Sequence, residues 1–566
     1  MHDNPRTILK NLLTDQEQHI LADFRQDKRW AILELARAND AYLLYTLSKK
    51  EGQPDVRGDV FYNQYYQFGW TKSLSLFMSK DCMEKGVPLT PSTPESQQWA
   101  DSMIIQCGKL GICEILLEYD RFGLGELSNP KDNEIHFVIR ATNAGIEKLE
   151  RYEFDYLNEL AADLGTDSWS KVLKMRSKIM KKMSALVQPR WQHYIHYQTA
   201  PEIDAYYQRF GLLWSRTHCL GHDSFPNEAT FAGKSFGLYK AAIVNLVGFA
   251  WKHIDFCQSL LLKHPDLELR NLLTIYCHIN DLCEDMAAAL EVSSQEASHI
   301  LSLFTLTPNN KSIHVLTPRN YSPPLIQISE ESVINSISGI LSDSPYLFLL
   351  EELRNLYPND WYKYVNLREE TFRIELYQFF PSERFFMIEK PVKIKVEDKV
   401  ITDIDAIILD KKTGTLCLFQ LKWQDFFASS MQKRESGKKN LMKTANAWIS
   451  SVSNWLADKD HRAIGKLLGF DLNNIAITHI LLFVIGRNFA HFSGDEQPDD
   501  RAAWGMWPQI IRLINDGSKN KVLYTSDPLG WIHTSLRMES STHKEFALLG
   551  QEFQLGGYRI VLESSK

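Results

Sequence analysis

The stretch "TDIDAIILDKKTGTLCLFQLKW", residues 402–423, predicts two β-strands joined by a tight turn. β-Branched, aliphatic and aromatic residues dominate both halves, which is the composition of strands that pack on a core. The middle of the stretch, "DKKTG", places Asp410 and Gly414 where a hairpin loop of about four residues favours them. We therefore expect a β-hairpin whose outer ends lie side by side.

Three polar side chains stand at those outer ends. Asp405 lies at the start of the first strand, and Gln420 and Lys422 lie at the end of the second. Gln420 and Lys422 are two residues apart and share one face of their strand, whereas Leu421 points the other way, into the core. The hairpin thus brings a carboxylate, an amide and an ammonium group into one small volume.

This set of groups has a chemical use. A hard divalent ion such as Mg²⁺ takes oxygen ligands and keeps several waters. Asp405 would supply charge to the ion and Gln420 a neutral oxygen, while Lys422 would orient a metal-bound water and neutralise charge that develops on a phosphate. The pattern predicts in-line hydrolysis of a phosphodiester with Mg²⁺ or Mn²⁺.

The flanking sequence predicts the rest of a domain. A helical segment and an extended one precede the hairpin, and a basic helical segment and the buried strand "ITHILLFVIG" (residues 477–486) follow it. This α-β-β-β-α-β order predicts a mixed sheet with helices on its faces. Helical periodicity dominates upstream as far as a proline-rich break. We expect an α+β protein with a mostly helical region over residues 1–340 and a sheet-containing domain over residues 341–566.

The pattern "IDAII…GTLCLFQLKW" resembles the PD-(D/E)XK nuclease superfamily, whose signature is an Asp, a hairpin and then Glu-x-Lys or Gln-x-Lys. It is most similar to the nuclease-related NERD domain and to Mrr-like restriction endonucleases. The resemblance covers roughly residues 369–486. It implies a restriction-endonuclease-like α/β domain with a mixed central sheet.

The resemblance also assigns roles to residues. Asp405, Gln420 and Lys422 match the family's Asp, Glu/Gln and Lys. The family usually adds a Glu on the helix before the first strand, and Glu369, Glu370 and Glu375 all lie there. We favour Glu370, which gives Asp405, Gln420 and Glu370 as metal ligands, with Asp403 as an auxiliary ligand.

Two alternatives stay open. Gln420 stands where the family more often has Glu, and a neutral ligand binds Mg²⁺ less strongly, although Mrr-like members also use Gln. The chain is then either a metal-dependent endonuclease that cuts DNA, in bacterial anti-phage defence or restriction, or an inactive nuclease fold that serves as an interaction protein. An RNase of the same fold has the same motif, because DNA and RNA both present phosphates.

A basic segment follows the hairpin and predicts a nucleic-acid partner, with DNA favoured over RNA. "MQKRESGKKNLMK" contains a single acidic residue and five basic ones, which we expect to contact phosphates: Lys433, Arg434, Lys438, Lys439 and Lys443. A second basic stretch, residues 170–183, lies on a helix of the first region. Either stretch is alternatively a solvated helix face.

Composition and charge limit the expected partners and cellular location of the protein. The 566 residues carry a net charge of -7, so a nucleic acid must be met by a local basic patch. Eight scattered cysteines predict buried thiols, and no apolar segment predicts a leader or a membrane span, so we expect a cytoplasmic protein.

"GKSFG" (residues 233–237) lacks the context of a hydrolase elbow or a P-loop, and His218 and His222 are expected in a core or loop. The helical region is expected to bind a partner protein or form homo-oligomers.

Overall fold

The computed structural model describes residues 4–48, 60–86, 89–139, 144–219, 221–315, 321–425, 430–470, 476–492, 496–519, 526–538 and 551–564. Within them the chain is a mixed α/β protein with a mainly helical N-terminal region. Its larger sheets combine antiparallel and parallel strands. This agrees with the α+β class expected from the sequence.

The first region contains fourteen described α-helices and ten described strands. The helices are α1 (Pro5–Asp23), α2 (Lys28–Ser48), α3 (Val60–Phe77), α4 (Pro94–Arg121), α5 (Ala144–Leu186), α6 (Pro201–His218), α7 (Phe236–Leu261), α8 (Leu269–Leu273), α9 (Ile279–Leu290), α10 (Ser294–Ser302), α11 (Lys311–His314), α12 (Ile337–Leu341), α13 (Pro345–Leu356) and α14 (Pro358–Val365). The strands are β1 (Gly125–Ser128), β2 (Glu134–Ile139), β3 (Val187–Arg190), β4 (Tyr194–Tyr197), β5 (Thr230–Phe231), β6 (Lys234–Ser235), β7 (Ile275–His278), β8 (Thr305–Leu306), β9 (Leu325–Gln327) and β10 (Ser332–Asn335).

The remaining elements follow a short connection. The helices are α15 (Arg368–Tyr377), α16 (Met431–Lys438), α17 (Thr444–Ala457), α18 (His461–Leu467), α19 (Trp507–Lys519) and α20 (Pro528–Met538). The strands are β11 (Phe385–Met387), β12 (Val392–Val396), β13 (Lys399–Ile404), β14 (Ala406–Asp410), β15 (Thr415–Lys422), β16 (His479–Gly486), β17 (Ala502–Met506), β18 (Gln551–Leu555) and β19 (Tyr558–Ser564). A π-helical turn, Lys439–Lys443, joins α16 to α17.

A five-stranded mixed sheet organises the second region. Its order is β11-β14-β15-β16-β17, in which β14 is antiparallel to both neighbours and β15, β16 and β17 run parallel. Leu416 and Leu418 of β15 pack under α17 and α18, whereas Cys417, Phe419 and Leu421 pack under α15, α19 and α20. Since each fully buried aliphatic or aromatic side chain contributes roughly 1.5–3 kcal/mol, this two-faced burial fixes the register of β15.

The boundary expected near residue 340 needs correction. Tyr346, Leu349 and Leu353 of α13 and Trp361 of α14 belong to an apolar core of the first region. The chain therefore passes into the second region after α14. The proline-rich stretch that suggested the earlier boundary breaks the helical pattern because it contributes β8 and β9 to a sheet of the first region.

The expected range 341–566 also needs correction at its far end. β19 pairs in parallel with β2, giving a sheet in the order β1-β2-β19-β18. Phe553, Ile560 and Leu562 pack in one core with residues of α1 and α4. The alternating pattern of residues 551–564 indicates a hairpin, but nothing local says which sheet the hairpin joins.

Two further expectations concern the whole chain. All eight cysteine side chains are free, and all but Cys277 are buried, as their scattered spacing predicts. None of the helices in the described ranges is both long and apolar enough to cross a membrane.

Candidate active site

The hairpin predicted from the sequence lies in the middle of the five-stranded sheet. β14 pairs with β15 in a register that sets Ala406 opposite Phe419, so Asp405 and Gln420 face each other one step further out. The Asp405 amide donates to the Phe419 carbonyl oxygen at 3.0 Å. At the turn, Gly414 has a φ of +75°, and its amide donates to the Asp410 carbonyl oxygen at 2.8 Å.

The carboxylate of Asp405 is buried where the hairpin ends, with 3% of the residue exposed. Its Oδ2 accepts a hydrogen bond from the Leu421 amide at 2.7 Å and another from the side-chain Nε2 of Gln420. Burial raises the pKa of Asp405 to about 7, although the charge of Lys422 opposes the rise; Glu369 and Asp403 add to it. The site therefore holds a buried acid that additional positive charge would stabilise as carboxylate.

Lys422 completes this edge of the sheet. Its Nζ donates to Oε1 of Glu369, on the first turn of α15, at 3.2 Å. Of the three acids expected on that helix, Glu370 is exposed and Glu375 forms an ion pair with Arg487. The structure thus brings Glu369 to the site, whereas the sequence favoured Glu370. Asp403 lies on β13, two residues before Asp405, with its side chain exposed.

Arg373 is a supporting residue that the sequence did not single out. It lies one turn beyond Glu369 on α15 and is buried. Its guanidinium donates to the carbonyl oxygen of Asp405 at 3.2 Å and to that of Glu389 at 2.8 Å. Arg373 therefore ties α15, which carries Glu369, to the backbone of Asp405. Its partners are backbone carbonyl oxygens 16 and 32 residues further along the chain, so no local sequence pattern points to this role.

A cleft of about 650 Å³ opens beside Lys422 and Glu369. Its opposite wall comes from α13 and α14 of the first region, so the cleft lies between the two regions. On that wall, Arg354 is exposed. Arg368 is buried at the cleft, pairs with Asp425 at 2.8 Å and lies over the ring of Phe225. Other residues that line the cleft are Tyr321, Trp361, Trp423, Gln424, Lys433 and Asn440.

The five basic residues after the hairpin divide into two groups. Arg434 is buried, pairs with Glu435 at 2.9 Å and lies near the ring of Phe492, and Lys433 forms an ion pair with Glu351 of α13. Arg434 is thus held inside the protein, whereas Lys433 is 28% exposed and is held by its acidic partner on α13. The second group reaches solvent: Lys438 is partly exposed, and Lys439 and Lys443 are exposed.

The second basic stretch lies on α5 as expected. Arg176 pairs with Asp255 at 2.5 Å, and Lys182 pairs with Glu202. The other lysines are exposed at spacings of three or four residues, which places them along one face of the helix: Lys171, Lys174, Lys178 and Lys181.

The donor set suits a hard metal ion. Nowhere in the described ranges do three or more His, Cys, Asp or Glu side chains group to hold a metal. At this site the donors are the Asp405 and Glu369 carboxylates and the amide oxygen of Gln420, whose nitrogen already faces Asp405. One or two carboxylates with water completing the shell is the usual protein ligand set of Mg²⁺. The residues present therefore fit a largely hydrated Mg²⁺ or Mn²⁺.

Comparisons with models of known protein families, with curated proteins and with solved structures gave no match.

Proposed function

We propose that the protein is a metal-dependent nuclease that hydrolyses phosphodiester bonds of DNA. One observation carries the proposal: Asp405 and Gln420 face each other across the hairpin, and Lys422 and its partner Glu369 stand beside them at the mouth of a cleft. The strand order and the flanking helices support it, because they are what the resemblance to PD-(D/E)XK nucleases implies.

Each residue has a distinct task in this reaction. A divalent ion held by Asp405, Glu369 and Gln420 would acidify a bound water and add positive charge beside the phosphate. Leu421 and Arg373 hold Asp405 through its side chain and its carbonyl oxygen. Lys422 donates hydrogen bonds to the attacking water or to a non-bridging phosphate oxygen. The water oxygen bonds to phosphorus and gives up a proton to solvent as the opposite P–O ester bond breaks, and the leaving oxygen takes up a proton from solvent.

The cleft favours a single strand. Sites of about 300–1,000 Å³ enclose one drug-sized ligand, and the volume beside Lys422 is about 650 Å³. A cleft of this volume can enclose a short stretch of a single strand, whereas a duplex is far bulkier than the ligands that such clefts enclose. We therefore expect single-stranded or locally unpaired DNA to be cut faster than an intact duplex.

A second candidate function is a non-catalytic interaction protein. It is favoured by the internal pairing at the site, because Gln420 already donates to Asp405 and Lys422 already pairs with Glu369. Such a network satisfies its members without a metal. In this case the cleft would bind nucleic acid without cutting it.

A cleavage assay separates the two. Single-stranded DNA, its duplex and an RNA of the same sequence are incubated with the full chain in Mg²⁺, Mn²⁺ or EDTA. We expect metal-dependent cleavage, fastest for single-stranded DNA, that falls on the order of 100-fold or more in Asp405→Asn. Asp458→Asn, at an exposed residue that ends α17, is the matched control and should cut normally.

Two other results of these experiments would favour the alternatives to a DNase. Binding of the same oligonucleotides in a gel-shift assay, without cleavage in either metal, would favour the interaction protein. Faster cleavage of the RNA than of either DNA would make the protein an RNase of the same fold.

A further inference from the structure

A second cavity lies in the first region and uses none of the residues of the candidate active site. It has a volume of about 760 Å³ and lies between the end of α6 and the start of α7. The two helices touch at Gly211 and Gly248, where an added Cβ would lie 2.2 Å from the Val244 carbonyl oxygen and 2.5 Å from that of Tyr207. Beyond this contact the cavity fills the space between them, and Leu290 and Tyr346 close it.

The α6 wall of the cavity is cationic. Arg209 and Arg216 are seven residues apart, so they lie on one face of α6, about 10.5 Å apart along its axis. Both are exposed, and no ion pair to either guanidinium occurs among the residues that the structure describes. On the α7 wall, Lys240 pairs with Asp223 at 2.7 Å. Glu291 adds an exposed carboxylate to the lining, so the two arginines are the cations available to an incoming anion. A planar guanidinium binds phosphate through two parallel hydrogen bonds.

The floor of the cavity is apolar but includes a buried hydroxyl. Ser215 has 8% of its surface exposed, and its Oγ has no hydrogen-bond partner in the structure. An unsatisfied buried hydroxyl is destabilising, and a bound ligand with a polar atom there would recover that loss. Asn245 donates to the Ala241 carbonyl oxygen at 2.9 Å and keeps its own side-chain oxygen as an acceptor. The apolar part of the floor consists of Leu212, Leu238, Ala241 and Val244.

We propose that this cavity binds a mononucleotide. The volume matches one small ligand, because sites of this kind span about 300–1,000 Å³. Arg209 and Arg216 bind the phosphate, the apolar floor takes the flat base, and Ser215 and Asn245 supply hydrogen bonds to it. Neither the phosphate nor the nucleoside part of the ligand is sufficient by itself. Phosphate alone leaves the apolar floor empty, and a nucleoside alone leaves both arginines without an anion.

Isothermal titration of the full chain tests the site. AMP, GMP, CMP and UMP are titrated in EDTA, together with adenosine and inorganic phosphate. We expect at least one mononucleotide to bind at least tenfold more tightly than either adenosine or phosphate. The double variant Arg209→Ala/Arg216→Ala should weaken that binding at least tenfold. Ala241→Trp, which fills the cavity, should abolish it.

Two controls keep the result specific. Arg25→Ala removes an exposed arginine elsewhere in the first region, and Lys422→Ala alters the candidate active site; neither should change the affinity. The proposal is overturned if no mononucleotide binds the folded chain with a Kd below about 1 mM. It is also overturned if the double arginine variant binds as the wild type does, or if Lys422→Ala removes the binding.

Discussion

Changing Gln420 to Glu is a sharp test of the metal site. In the structure Nε2 of Gln420 donates to Oδ2 of Asp405, and both residues are buried. The substitution replaces this donor with a second carboxylate of nearly the same shape. Two buried carboxylates then face each other, beside Lys422 and Glu369.

The size of the destabilisation in Gln420→Glu follows from the distance between the two carboxylates. At about 4 Å separation and an effective dielectric constant of about 20, two unit charges repel by about 4 kcal/mol. This is enough for the pair to retain a shared proton at pH 7 when no metal is bound. A divalent ion reverses the balance, because it converts the repulsion into two attractions. Gln420→Glu should therefore melt below the wild type in EDTA and recover with Mg²⁺.

Thermal unfolding at increasing Mg²⁺ concentration is the assay. A ligand stabilises the folded state by RT ln(1 + [L]/Kd), so tighter binding by the variant appears as a larger rise in Tm at each concentration. Gln26→Glu, at an exposed position between α1 and α2, is the matched control. If Gln420→Glu gains no more from Mg²⁺ than this control does, Gln420 does not face a metal and its role is to hold Asp405.

Two other predictions concern charge. Asp40 is buried and accepts from Thr274 Oγ1 and the Ser338 amide, each at 2.8 Å, and burial raises the pKa of Asp40 to about 6. The stabilising contribution of Asp40 is complete below the unfolded pKa near 3.8 and is lost as pH rises through 6. The stability of Asp40→Asn relative to the wild type should therefore rise by up to about 3 kcal/mol between pH 4 and pH 7. A Tm difference between the two proteins that does not change with pH would contradict this. Replacing Lys438 and Lys439 by Ala should flatten the log K against log salt slope for DNA binding by up to about 1.8 on duplex or about 1.4 on a single strand, and an unchanged slope would move the binding surface elsewhere.

The hairpin and its polar ends were predictable because their signals are local. Alternation with a period of two sets which side chains of β15 share a face, and "DKKTG" fixes the turn, so Asp405 and Gln420 had to face each other. Which acid of α15 meets Lys422 does not follow from the local sequence. Neighbouring residues on a helix point about 100° apart, and only the packing of α15 on the sheet decides that Glu369 rather than Glu370 meets Lys422.

Contacts between residues far apart in the chain also explain why the roles of two residues in the basic segment were not predicted. Charge and spacing predicted five phosphate contacts, but Lys433 pairs with Glu351, more than eighty residues earlier, and Arg434 is buried beside Phe492. The C-terminal hairpin presented the same difficulty, since its pairing partner β2 lies more than four hundred residues away. The ion pair of Lys433 and the pairing of β19 with β2 depend on how the two regions meet, and all three contacts join residues far apart in the chain, for which a single sequence has no pattern.

If the edge formed by Asp405, Gln420 and Lys422 hydrolyses phosphodiesters, cleavage should depend on the ammonium group of Lys422. Single-turnover cleavage of a 5′-labelled single-stranded DNA is measured in Mg²⁺ for the wild type, Lys422→Met and Lys466→Met, the last changing an exposed lysine of α18. We expect cleavage by the wild type and by Lys466→Met, and a rate at least about 100-fold lower in Lys422→Met. Equal rates in Lys422→Met and the wild type, or cleavage that persists in EDTA, would contradict it.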